Sequence, residues 1–87
     1  MKTKLTIEDI KAVVVKEQYH VFPETTLTVC CLHLENGYTV TGESACVDPA
    51  SFNKELGEKY AKEDAVEKIW QLEGYLLKHK MHLVSKH

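Results

Sequence analysis

Residues 27–47, LTVCCLHLENGYTVTGESACV, set two runs rich in β-branched and apolar residues on either side of Asn36-Gly37. Asn-Gly is the pair favoured by a two-residue type I′ turn, in which both central residues take positive φ, so the segment reads as a β-hairpin. A two-residue turn fixes the register. It places Glu35 opposite Tyr38, His33 opposite Val40, Cys31 opposite Gly42, Val29 opposite Ser44 and Leu27 opposite Cys46. An isolated hairpin is not stable in water, so one face has to lie against helices. The face carrying Leu27, Val29, Cys31, Tyr38, Val40 and Cys46 is the expected core side. The other face is not plainly polar: Cys30, Leu32, Leu34, Ala45 and Val47 lie among Thr28, Thr39, Thr41 and Glu43. That strip is expected to be covered by a second helix or by another subunit, which motivates an expectation of homo-oligomers.

The flanking sequence is helical in pattern. Thr6 and Asp9 have the spacing of a capping box, and Ile7, Ile10, Val13 and Val14 recur at helical intervals, which predicts a first helix over 7–18. The β-branched run Val13-Val14-Val15 favours a strand instead and is the competing assignment. After the hairpin, Asp48-Pro49 has the form of a helix start, with an acidic cap and proline where its missing N–H is harmless. A helical region over 49–80 then carries Leu56, Tyr60, Ala61, Ala65, Val66, Ile69, Trp70, Leu72, Leu76 and Leu77 on one arc. Glu58, Lys59, Lys62, Glu63, Glu67 and Lys68 are turned to water. Gly57 and Gly74 predict a break, a kink or a close backbone approach. Trp70 is expected beneath the hairpin, and residues 81–87 are expected to fray. The fold class is α+β: one small domain over 1–87, ordered α-β-β-α, with a two-stranded antiparallel hairpin (26–47) on a long C-terminal helical region.

Composition bounds the function. The chain has 87 residues, 44% of them hydrophobic and 28% charged, which suits one small globular domain. A formal charge of −2 counts against a general nucleic-acid binder, which needs a basic surplus to displace counterions from phosphates. Cys30, Cys31 and Cys46 are odd in number and lack metal-ligand spacing, and no apolar run suits a membrane span, so a reduced, cytosolic protein is expected.

A set of strings resembles a known family: Phe22-Pro23 with Thr25-Thr26, Asn36-Gly37, Gly42 through Pro49, Lys68-Ile69-Trp70, and Leu72 through Leu77. Together they resemble a family of small tailed-phage proteins of unassigned activity, labelled by one product of coliphage N-four and one of phage Sf-six. The resemblance implies expression in the cytoplasm of an infected bacterium and gives no mechanism. Relatives with proline at the position of Gln71 imply a fold that tolerates a kink there.

No catalytic constellation is present in the sequence. His33 shares a strand face with Cys31, but nothing marks an oxyanion hole, and His79 and His82 lack a third ligand, so no catalytic residue, metal or cofactor is assigned. Thr41, Glu43 and Ser44 at the end of the second strand, and Glu73 and Tyr75 beside Gly74, are the candidate binding residues. Gly37, Asp48, Trp70 and Gly74 are read as structural. The leading expectation is a non-enzymatic phage accessory protein that antagonises a host factor, a counter-defence role exercised by binding a host protein or sequestering a small nucleotide signal. The rival is a nucleic-acid-binding accessory protein using strand threonines and the basic end Lys78, Lys80 and Lys86. A small enzyme dependent on Cys46 or Glu43 ranks third.

Overall fold

The capping box forms as expected. In the computed structural model, which describes residues 3–85, the Thr6 hydroxyl accepts from the Asp9 amide at 3.4 Å and the Thr6 amide donates to Asp9 Oδ2 at 2.8 Å. The helix it starts is short: α1 spans Ile7–Ala12, and the chain then turns into a strand, β1, over Val14–Val21. The β-branched run Val13-Val14-Val15 therefore decides the matter against a longer helix. The sheet has three antiparallel strands rather than two, in the order β1-β2-β3, with β2 over Leu27–Leu34 in the centre and β3 over Thr39–Ala45 at the other edge. The turn from β1 to β2 is closed by the Thr25 amide on the Phe22 carbonyl, with Pro23 and Glu24 between them and Glu24 at φ 64°. That is the form of a type II turn, with proline pre-setting the first central residue.

The hairpin is present, in a different register from the one expected. The Leu34 amide donates to the Tyr38 carbonyl and the Gly37 amide to the Leu34 carbonyl, so the loop holds three residues, Glu35, Asn36 and Gly37. Gly37 has φ 89°, while Asn36 is not at positive φ. A type I turn followed by a left-handed glycine explains both, and it uses Asn-Gly as readily as a type I′ turn does. Cys31 therefore pairs Thr41, Cys30 pairs Gly42 and Val29 pairs Glu43.

A slip of one residue exchanges the two faces of β3 relative to β2. The core side is the face carrying Thr28, Cys30, Leu32 and Leu34, joined by Val40 and Gly42 from β3. This reverses the expected core face, and the strip of Cys30, Leu32 and Leu34 that was expected to be covered by a second helix or by another subunit is the intramolecular core. From β1 the side chains of Glu17, Tyr19 and Val21, opposite Leu32, Cys30 and Thr28, share this side, and a bulge at Val15 corrects the pairing above them.

One helix covers it. Asp48 caps a single 3-10 turn at Pro49–Ser51, its carboxylate accepting from the Ala50 amide at 3.0 Å, and Phe52 is extended. The long helix α2, Lys54–Ser85, begins beyond that turn, where Asn53 Oδ1 accepts from the Leu56 amide. It runs uninterrupted for 32 residues, past Gly57, Gln71 and Gly74 and through 81–85, where fraying was expected. Lys86 and His87, assigned to the same tail, lie outside the described residues.

Of its predicted apolar arc, Ala61, Ala65 and Ile69 are buried, while Leu56, Tyr60, Leu72 and Leu76 are exposed and Trp70 is half-buried at the margin of the core. Ile69, not Trp70, is the large side chain under the hairpin. The close approach occurs at Gly42, which the pattern had not marked for it: a Cβ there would overlap the Ala61 carbonyl oxygen and the Ala65 amide nitrogen. Gly57 makes room for the buried Thr28, whose hydroxyl has no hydrogen-bond partner. Around Gly74 an added Cβ would meet only open space.

These two glycines predict opposite outcomes. Gly42→Ala has to push the helix backbone off the sheet and is expected to cost about 3 kcal/mol or more. Gly74→Ala removes the helical penalty of glycine without a clash and is expected to add about 1 kcal/mol. Urea unfolding of the two variants beside the parent checks both signs.

Candidate functional site

Side chains alternate across a strand, so burying one face of the sheet fixes what stands on the other. Both helices lie on the core side, and the opposite face has no covering element among the described residues. Down its centre runs an apolar row from β2, Leu27, Val29 and Cys31, each half-buried, ending at His33. Beside it stand Thr39, Thr41, Glu43 and Ala45 from β3, paired with His33, Cys31, Val29 and Leu27 in turn. On the other flank β1 contributes Lys16, Gln18 and His20. The arrangement is a short apolar centre with a polar rim.

The rim is organised by hydrogen bonds. His33 Nε2 lies 2.6 Å from Gln18 Oε1 across the β1–β2 pair and 3.9 Å from Cys31 Sγ. With that ring N–H donating to Gln18, the nitrogen nearest the thiol has no lone pair to offer, so the pair supplies no base for Cys31. His20 meets Phe22 edge to face, with ring centroids 4.7 Å apart. On the β3 edge the main-chain groups facing away from β2 are taken by α2. The Glu43 amide donates to Asp64 Oδ2 at 3.0 Å, and Lys68 Nζ donates to the Thr41 carbonyl. Lys68 was expected to point to water; together with Asp64, one helical turn earlier, it closes the edge of the sheet. Thr41 and Glu43 are thus held through their backbones from one side and present side chains on the other.

The five candidate binding residues separate into three places. Thr41 and Glu43 stand together on the open face, beside Cys31 and Val29 and not beside Cys30 as the expected register had it. Ser44 points to the core side and lines a cleft of about 250 Å³ with Cys46, Ser51, Asn53 and Tyr60, near the start of α2. Glu73 and Tyr75 line a different cleft, of about 360 Å³, between α2 and the hairpin tip, with Leu34, Tyr38 and Leu72. The expectation that Glu43 and Ser44 act together does not hold, because consecutive strand residues face opposite ways. Lys16 and Gln18 were missed because 7–18 was read as helix, and His20 because it fell between that helix and the hairpin. Period-two alternation of polar and larger residues through Lys16, Gln18 and His20 was the available signal.

The electrostatics of the covered side are ordinary. Glu17 bonds Lys62 at 3.0 Å and accepts from the Tyr19 hydroxyl at 2.9 Å, and the lysine bond, with the tyrosine second, holds the carboxyl below its usual range. Burial, then the bond to Glu17, raises the Tyr19 hydroxyl, and burial raises the Cys30 thiol. All three cysteines are free. Among the described residues no cluster of histidine, cysteine and carboxylates has the grouping to hold a metal ion, and no helix is long and apolar enough to cross a membrane.

The family model described as "Phage protein (N4 Gp49/phage Sf6 gene 66) family" matches residues 5–81. The chain belongs to that family. No curated protein and no solved structure matches it. Membership in this phage family covers every element from α1 through most of α2, so the open sheet face and its rim lie within the matched region.

The two sides of the sheet give the cysteines different chemistry. Brief alkylation of the native phage protein with iodoacetamide is expected to label the half-buried Cys31 and Cys46 well before Cys30, which reacts only at the rate of unfolding. Peptide mass mapping over time reads the order, and equal labelling of Cys30 and Cys31 would contradict the assignment of faces.

Proposed function

We infer that this phage protein is a non-enzymatic accessory factor that binds and antagonises a host component in the cytoplasm of the infected cell, a counter-defence role exercised through the open face of the sheet. The observation that carries this reading is the row Leu27, Val29 and Cys31 on the central strand. It is left without cover by the chain's own helices and is rimmed by Lys16, Gln18, His20, His33, Thr39, Thr41 and Glu43. A row of that kind, on a sheet whose other side is packed against the chain's own helices, favours a protein partner with a complementary apolar centre. Short side chains on a hydrogen-bonded three-stranded support suit docking with little reorganisation.

The small-nucleotide reading finds less support on this face. The chain contains no arginine, the residue that grips phosphate in bidentate fashion, and the one carboxylate on the open face, Glu43, repels anions. The nucleic-acid reading needs strand threonines and the basic end on one surface. Thr39 and Thr41 stand on the open face, whereas Lys78 and Lys80 ride on the part of α2 that runs past the end of the sheet.

Val29→Lys, which faces Glu43 across the strands, and Thr41→Lys test the proposal. Both alter the open face without entering the core, so each variant is expected to keep its melting temperature within a few degrees while losing capture of the host protein that the parent retains from bacterial lysate. A thermal-shift screen of mono-, di- and cyclic nucleotides runs beside it. Stabilisation by a nucleotide that persists in both variants, with no protein capture by the parent, would move the function off this face and onto a small ligand.

A further inference from the structure

The stripe of α2 that packs on the sheet does not stop where the sheet stops. Ala61, Ala65 and Ile69 are buried beneath the strands, and the same helical face continues at intervals of three and four as Leu72, Leu76, His79 and Leu83. The hairpin tip lies level with Ile69 and Leu72, which share a cleft with Leu34 and Tyr38. Beyond Leu72 the helix runs on for about 20 Å at 1.5 Å per residue. Along this length Leu72, Leu76 and Leu83 are 41%, 46% and 48% exposed, and α1 lies along one flank, where Asp9, Ala12 and Val13 share a cleft with Glu73, Leu76, Leu77 and Lys80. The continuation has the residue spacing of a coiled-coil seam, and among the described residues no element buries Leu72, Leu76 and Leu83 along it.

We propose that the partner is a second copy of this chain, with the α2 extensions paired antiparallel about a twofold axis. In that arrangement Leu72 meets the other copy's Leu83, and Leu76 meets its His79. The flanking positions decide between partners and between directions. On one side of the seam stand Glu73 and Lys80, seven residues apart, and antiparallel pairing sets each Glu73 against the other copy's Lys80, twice by symmetry. On the other side Tyr75 and His82 face each other in the same way. These side chains are already ordered in a ladder, Tyr75 stacked on His79 and His79 next to His82, with centroids 6.2 Å apart in both steps.

A parallel pair is excluded by the fold, because both sheets sit on this same stripe at the same end of the helix and would occupy one space. Antiparallel pairing sends the two sheets to opposite ends. It also brings the other copy's Leu83 to the mouth of the cleft lined by Leu34, Tyr38, Ile69 and Leu72, whose volume of about 360 Å³ admits such a side chain. The surface is distinct from the open sheet face, so self-association and host binding stand or fall separately.

Sedimentation velocity of the intact protein at tens of micromolar is the test. The parent is expected to run as a dimer, and Leu83→Glu, well beyond the sheet, as a folded monomer with unchanged circular dichroism; Leu76→Glu is the second variant. Glu73→Lys and Lys80→Glu are each expected to weaken the dimer, since each sets like charges together twice. An equimolar mixture of the two restores both pairs and is expected to associate roughly tenfold more tightly than either alone. A monomeric parent, a dimer indifferent to Leu83→Glu and Leu76→Glu, or a mixture no tighter than its components would overturn the proposal.

Discussion

The contact of Gly42 with the backbone of α2 at Ala61 and Ala65 is the constraint on which the rest of the structure depends. Only a residue without Cβ lets a helix approach a strand so closely, and only alanines on the helix leave the space. Once that approach is fixed, Ile69 joins Leu32, Leu34 and Val40 in the core, and Gly57 passes over Thr28. Asp64 and Lys68 come within reach of the free main-chain groups of β3. The β3 edge is closed against unwanted pairing by the same helix that closes the core. The opposite face of the sheet is left open as a direct result, because a chain of this length has one long helix and spends it on one side.

Much of this was legible in the sequence and some was hidden for identifiable reasons. The capping box at Thr6 and Asp9, the hairpin around Asn36-Gly37, the cap at Asp48 and the α+β class all follow from local chemistry. The register did not, because Asn-Gly serves two loop lengths, and a three-residue loop with Gly37 left-handed moves every pairing by one. The buried face went with it, since Cys30, Leu32 and Leu34 are as apolar as Leu27, Val29 and Cys31. Length and burial of the partner helix, not strand composition, choose between them. β1 was obscured by helical spacing of Ile7, Ile10, Val13 and Val14, four residues that belong to three different parts of the chain. Gly74 carried no structural information beyond its small cost to the helix, whereas Gly42, in a strand, marked the approach of another backbone.

Of the candidate site, Thr41 and Glu43 were legible as polar residues on a strand, and their neighbours were not. The surface they belong to exists only once β1 is added and the register corrected. Ser44, Glu73 and Tyr75 were chosen for residue type and proximity in sequence, and the fold distributes them to two clefts on the covered side. A short sheet with one open face, attached to a helix that overshoots it, presents two separate surfaces on a domain of 87 residues.

The assignment of faces is the central claim, and a two-dimensional nuclear Overhauser spectrum of the protein tests it most directly. Cys31 and Thr41 form a non-hydrogen-bonded antiparallel pair, the kind whose α-protons lie closest together, as do Val29 and Glu43. The structure predicts strong α-proton cross-peaks for both pairs, together with cross-peaks from the Gly42 α-protons to Ala61 and Ala65. Cross-peaks pairing Cys31 with Gly42 and Val29 with Ser44, and none from Gly42 to the helix, would contradict the register, the core face and the open face together.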